Sequence, residues 1–96
     1  MIVIKSLMKR QTVSIEVVGC APGTIIAAIC DDGVYSVAYA DSKGEAKLPA
    51  PEGPTQIRCR HQDYLYLSYT LYAKVDRTPR VYVIMERDSN FTPTTK

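Results

Sequence analysis

The chain has 96 residues, 46% of them hydrophobic and 23% charged, with 12 Lys and Arg against 10 Asp and Glu. A chain of this length makes one small domain with a thin core, which excludes multi-domain chemistry and leaves little room for a deep substrate pocket. A formal net charge of +2 with no basic run argues against nucleic acid as the default partner.

Met1–Leu7 reads as an edge strand closed by Lys9 and Arg10. Its apolar stretch is broken at Lys5, far short of the ~7–15-residue hydrophobic core of a secretory signal, so cytoplasmic synthesis is expected. Val13, Ile15 and Val17 then alternate with Thr12, Ser14 and Glu16, the period of a strand with one buried and one wet face. Ala21-Pro22-Gly23-Thr24 has proline and glycine where a type II turn needs them, and a second strand runs over Thr24–Cys30. A two-residue Asp32-Gly33 connection leads into a strand over Val34–Ala40. Asp41-Ser42-Lys43-Gly44 forms the next loop, before a short strand over Glu45–Leu48. Pro49, Pro51 and Pro54 lack the donors a central strand needs, so residues 49–54 read as a loop or sheet crossover. Alternation resumes over Thr55–His61, Tyr64–Lys74 is the longest strand, and Arg80–Arg87 is the last. This division gives a single β domain over residues 1–87 and a polar C-terminal tail over 88–96. The predicted core is Val13, Ile15, Val17, Ile57, Leu65, Leu67 and Leu71.

No stretch has apolar residues at helical spacing. The longest uncharged run, Val17–Cys30, contains Pro22 and falls short of the ~20 apolar residues of a membrane span. Cys20, Cys30 and Cys59 are odd in number and contain no C-x-x-C pair, which points to reduced, buried thiols in place of a disulfide framework. With His61 they would make a zinc ligand set, but their spacing fits no compact zinc motif, so no metal and no cofactor is expected. Asp31 and Asp32 lack the spacing of a calcium loop and are better explained as turn residues. His61 is the sole histidine and lies two residues from both Cys59 and Asp63 on one strand face, a geometry a catalytic pair would need. No nucleophile motif accompanies it, and a half-exposed histidine at a strand end accounts for it, so no enzymatic activity and no small-molecule substrate is expected.

From Val17 to Tyr64 the order is strand, Pro-Gly turn, strand, Asp-Gly turn, strand, then Ala40-Asp41-Ser42-Lys43-Gly44-Glu45-Ala46-Lys47-Leu48, Gly53 and Ile57. This stretch resembles the transthyretin-like, carboxypeptidase-regulatory type of β-sandwich module. In that family a Thr-Asp-x-x-Gly-x-aromatic-x-Leu run precedes a loop glycine and an alternating strand ending near Gly-Tyr. Asp41, Gly44, Leu48, Gly53 and Tyr64 fit that pattern, whereas Ala40, Ala46 and Asp63 replace its threonine, aromatic and second glycine. The resemblance covers about half the chain and implies an all-β, Ig-like antiparallel sandwich of about seven or eight strands. The family shares no catalytic residues, so none carries over.

The sharpest feature is Tyr64-Leu65-Tyr66-Leu67-Ser68-Tyr69-Thr70-Leu71-Tyr72. Strand alternation puts Leu65, Leu67, Tyr69 and Leu71 on one face and Tyr64, Tyr66 and Tyr72 in a row on the other. Strand propensity explains some of these rings, yet a row of tyrosines opposite a leucine row also suits a contact surface, with Arg58 and Arg60 as its polar rim. The expected function is a structural or interaction module that assembles with other protein subunits, identical or different, through Tyr64, Tyr66, Tyr72, Arg58 and Arg60. Its setting, by analogy with small sandwich proteins, is an accessory component of a bacteriophage virion such as a head decoration, collar or tail protein. The rival reading is an OB-like domain binding single-stranded nucleic acid, since arginines beside tyrosines also suit stacked bases. Against it, outward arginines are few, and Glu16, Asp41, Glu45 and Asp63 dilute their field.

Overall fold

The computed structural model describes residues 11–88. The expected edge strand at Met1–Leu7 and the tail beyond Asp88 lie outside the described residues. All described secondary structure is β: β1 (Thr12–Val18), β2 (Ile25–Cys30), β3 (Gly33–Tyr39), β4 (Glu45–Pro51), β5 (Gly53–Arg60), β6 (Leu67–Ala73) and β7 (Arg80–Tyr82). They form a three-stranded sheet ordered β4-β1-β7 and a four-stranded sheet ordered β3-β2-β5-β6. Pairing is antiparallel throughout except between β1 and β7, which run parallel, a departure from the wholly antiparallel sandwich the sequence suggests.

Alternation decides which side chains meet between the sheets. Val13, Ile15 and Val17 of β1 sit opposite Ala50, Leu48 and Ala46 of β4, and the first five of these six are buried. Ile26 and Ala28 of β2 and Ile57 and Cys59 of β5 supply the facing layer. Thr24, also buried, donates its hydroxyl to the carbonyl of Ala21 at 2.6 Å, so no polar atom is stranded where the Pro-Gly turn enters the core. In that turn the Thr24 N–H bonds the Ala21 carbonyl at 3.1 Å and Gly23 takes a φ of +84°, as a type II turn requires.

Several boundaries differ from the sequence reading. The β2–β3 loop is Asp31-Asp32, one residue earlier than expected, because Cys30 pairs with Gly33. The pairing then skips Tyr35, since Ile29 faces Val34 and Ala28 faces Ser36, which leaves Tyr35 as a bulge. The proline-rich stretch is not a loop: β4 runs on to Pro51 and β5 begins at Gly53. Strand structure survives there because β4 is a sheet edge, where a missing donor breaks no ladder, and Pro54 lies beyond the last β2 partner, Gln56. Glu52 alone carries the chain between the sheets, with its N–H bonded to the Gln11 carbonyl at 2.9 Å.

The largest correction falls on the tyrosine strand. β6 begins only at Leu67, because residues 61–65 leave β5 in a turn, with the Tyr64 N–H on the His61 carbonyl at 3.1 Å, and then pair with the C-terminal segment. Leu65 donates to the Glu86 carbonyl at 2.8 Å and Tyr64 bridges Arg87. Leu65 is therefore 43% exposed and not in the core, while Leu67 and Leu71 are half-buried against it. The strand expected over Arg80–Arg87 likewise narrows to β7 and the bridge at Arg87.

Candidate functional site: the outer face of the four-stranded sheet

The register of the larger sheet places its outward side chains in rows. Tyr39, Ile25 and Arg60 form the first row and Val37, Ala27, Arg58 and Ser68 the second. Val34, Ile29, Gln56 and Thr70 form the third, and Pro54 and Tyr72 the fourth. Val34, Val37, Tyr39 and Tyr72 are each more than half exposed, at 63%, 54%, 67% and 63%. No acidic side chain occurs in these rows. Arg58 donates from Nε to Gln56 Oε1 at 2.9 Å, a bond that fixes its guanidinium along the strand, and neither arginine has a carboxylate partner among the described residues.

The opposite outer face has the reverse character. On it Glu16 accepts from Arg80 Nε at 2.8 Å and lies 3.6 Å from Lys47 Nζ, so one carboxylate joins all three strands of the smaller sheet. The Arg80 hydrogen bond, reinforced by the charges of Arg80 and Lys47, holds the Glu16 carboxyl below its ordinary range. Arg80 also donates to the Tyr82 hydroxyl at 3.3 Å. Such a charge-neutralised face is content in water, whereas the face of Val34, Val37, Tyr39 and Tyr72 exposes apolar area that is not.

The structure divides the five expected interface residues. Arg58, Arg60 and Tyr72 share the outer face, with Tyr72 at the far end from Arg60. Tyr64 and Tyr66 do not continue their row, because both precede β6; they line a shallow groove of about 650 Å³ at the Arg60 end, beside Ile25, His61 and Leu65. Tyr64 is held there by an edge contact with the His61 ring at 5.1 Å and by the Arg87 guanidinium 5.5 Å from its ring centre. The residues the sequence reading passed over are Ile25, Ala27, Ile29, Val34, Val37 and Tyr39. A signal for them exists: β2 and β3 are apolar at both parities, so in a domain with only two sheets one set has to lie outside.

His61 and Cys59 do not form a pair. His61 Nδ1 accepts the Asp63 N–H at 3.1 Å, while Cys59 is buried in the core. The neighbouring Cys20 thiol, together with burial, pushes the Cys59 thiol up and keeps it protonated. Among the described residues no three His, Cys, Asp or Glu side chains gather as a metal ion would require, and no helix is long and apolar enough to cross a membrane.

What this geometry defines is a small two-sheet all-β domain with one polar and one apolar outer face. Comparison with known proteins extends no further: no family model matches the chain, and no match was found among curated proteins or among solved structures.

Proposed function

We propose that this chain is a non-enzymatic interaction module whose larger sheet docks, outer face first, onto another protein subunit. The observation that carries the reading is the contrast between the two outer faces: one neutralises its charges internally, while the other exposes Val34, Val37, Tyr39 and Tyr72 around Arg58 and Arg60. Apolar and tyrosine side chains with arginine and no acid give the composition of a protein interface, in which the arginines meet carboxylates of the partner. Tyr64 and Tyr66, in the groove at the Arg60 end, extend this surface. The Ig-like, transthyretin-like character suggested by residues 17–64 agrees with a scaffold or adhesive role. An accessory place in an assembled particle, such as a bacteriophage head decoration, collar or tail component, is the setting we favour, by analogy with small virion sandwiches.

Binding of single-stranded nucleic acid is the second reading, favoured by Arg58 and Arg60 on a face that also bears Tyr39 and Tyr72. Aliphatic side chains outnumber the tyrosines on that face, however, and the two separate sheets of the described residues differ from the partly closed five-stranded OB barrel. A double variant, Val37→Lys with Tyr39→Ser, tests the choice. Affinity capture from the source cells with the wild-type chain should retain a stoichiometric protein that the variant loses, while both chains melt at the same temperature. Equal retention by the two chains would remove the outer face from the function. A salt-sensitive gel shift of a single-stranded oligonucleotide, lost on Arg58→Ala, would favour the second reading.

A further inference from the structure

A sheet edge presents a row of unpaired backbone donors and acceptors, and natural sandwiches guard such edges with proline, charge, bulges or shortness. The four edges among the described residues are β4, β7, β3 and β6. β4 carries Pro49 and Pro51 as well as Glu45 and Lys47. β7 is only 3 residues long. β3 is bent by the Tyr35 bulge and crowded by β4, onto whose Pro49 carbonyl the Ser36 hydroxyl donates at 2.6 Å. β6 has none of these guards. Its sequence, Leu67-Ser68-Tyr69-Thr70-Leu71-Tyr72-Ala73, contains no charge and no proline, and its register with β5 is unbroken from end to end.

The same strand is also incompletely covered. Its inward parity is Leu67, Tyr69, Leu71 and Ala73, set by pairing with Cys59, Ile57, Thr55 and Gly53. The facing sheet has one strand fewer, so Leu67 and Leu71 are only half-buried and Tyr69 is 51% exposed. An added strand would bury them.

We propose that the occupant of this edge is a second copy of the chain, joined β6 to β6 in antiparallel register about a two-fold axis at Thr70, so that two four-stranded sheets become one eight-stranded sheet. An isologous contact requires the strand to complement itself, and this one does. Paired residues on antiparallel strands share a face, so a two-fold through a residue sets inward side chains against inward ones and outward against outward. About Thr70, Tyr69 of each copy falls opposite Leu71 of the other, an aromatic-aliphatic pair made from two side chains that each copy covers only in part. Leu67 meets Ala73 and Ser68 meets Tyr72. Extended by one residue, the register puts Lys74 opposite Tyr66, so no like charges oppose one another along the seam. The inference is independent of the docking role of the outer face, which the dimer would present twice on one continuous surface.

The test is sedimentation equilibrium of the full chain from low micromolar to several hundred micromolar, with a melting curve for each variant. The wild type should sediment as a concentration-dependent dimer. Thr70→Lys places two cations opposite each other on the axis and should weaken dimerisation roughly tenfold or more. The Val37→Lys, Tyr39→Ser double variant should dimerise as the wild type does, which separates failure of this inference from failure of the outer-face reading. Cysteine cross-linking does not depend on how well Thr70→Lys folds: under mild oxidation Thr70→Cys should be trapped as a covalent dimer and Ser68→Cys should not, because only residue 70 meets itself across the axis. A wild-type chain that stays monomeric throughout would overturn the proposal. So would a dimer lost in the outer-face variant, or equal cross-linking through residues 68 and 70.

Discussion

Asp41 and Gly44 show how single residues fix the crossing from β3 to β4. The Asp41 side chain accepts the N–H groups of Lys43 and Glu45, both at 2.9 Å, while its carbonyl accepts the Gly44 N–H at 2.9 Å. Gly44 in turn offers its carbonyl to the N–H groups of Gly19 and Cys20 at 3.2 and 3.1 Å, tying this loop to the one after β1. At a φ of +80° with the Cys20 carbonyl oxygen against the place a Cβ would occupy, position 44 admits glycine alone. Gly44→Ala should therefore cost about 3 kcal/mol or more, the left-handed penalty plus strain on the two hydrogen bonds that hold the loops together. Gly23 has a similar φ but open space around it, so Gly23→Ala should cost only about 1–2 kcal/mol. Urea melts of the two variants check the contrast; equal losses would mean that the close approach at Gly44 relaxes freely.

At the scale of elements, β5 and β6 are adjacent strands with different depths. Ile57 of β5 is fully buried between the sheets, and Ile57→Ala should cost ~2–5 kcal/mol, enough to threaten a domain of this size. Leu67, which alternation assigns to the core, lies on the overhanging strand, so Leu67→Ala should cost about 1–2 kcal/mol, in keeping with the smaller area it hides. Chemical denaturation at a protein concentration too low for association compares the two directly. A Leu67 loss as large as that of Ile57 would show that β6 is covered in solution even in the monomer.

For the whole molecule, the distribution of charge sets the response to acid. Backbone N–H groups of Glu45 and Lys43 lower the Asp41 carboxyl, and the Arg80 hydrogen bond lowers that of Glu16. A carboxyl depressed on folding contributes stability in full above its unfolded pKa, about 3.9 for Asp and 4.3 for Glu, and that contribution is lost as pH falls through the folded value. The melting temperature should accordingly hold from neutral to about pH 5 and drop below about pH 4. The double variant Asp41→Asn, Glu16→Gln keeps both shapes without the charges; it should melt lower at neutral pH and fall less steeply in acid. Parallel pH profiles for the two proteins would mean that other carboxylates govern the acid transition.

How much of this was readable before folding follows from the range of each signal. The alternation of Val13, Ile15 and Val17, the Pro22-Gly23 turn and the Asp41-Gly44 loop are local, since strand parity and turn dihedrals act within a few residues, and on those the strands and the β1 core face were legible. The choice of Arg58, Arg60 and Tyr72 as outward residues was equally a matter of parity. Tyr64 and Tyr66 left the expected row because the Leu65 and Tyr64 backbones pair with Glu86 and Arg87, partners more than twenty residues away that no local pattern announces. Prolines 49 and 51 lie in a strand because that strand is an edge, and edges exist only once strands are ordered. The apolar outer face and the place of β6 at a sheet edge among the described residues have the same origin. Sequence alone determined that β2 and β3 are apolar on both sides and that β6 is uncharged. Only the tertiary structure, by stacking three strands on four, decided which side faces water and which strands form the sheet edges among the described residues, because burial belongs to the packing of sheets and not to any one strand.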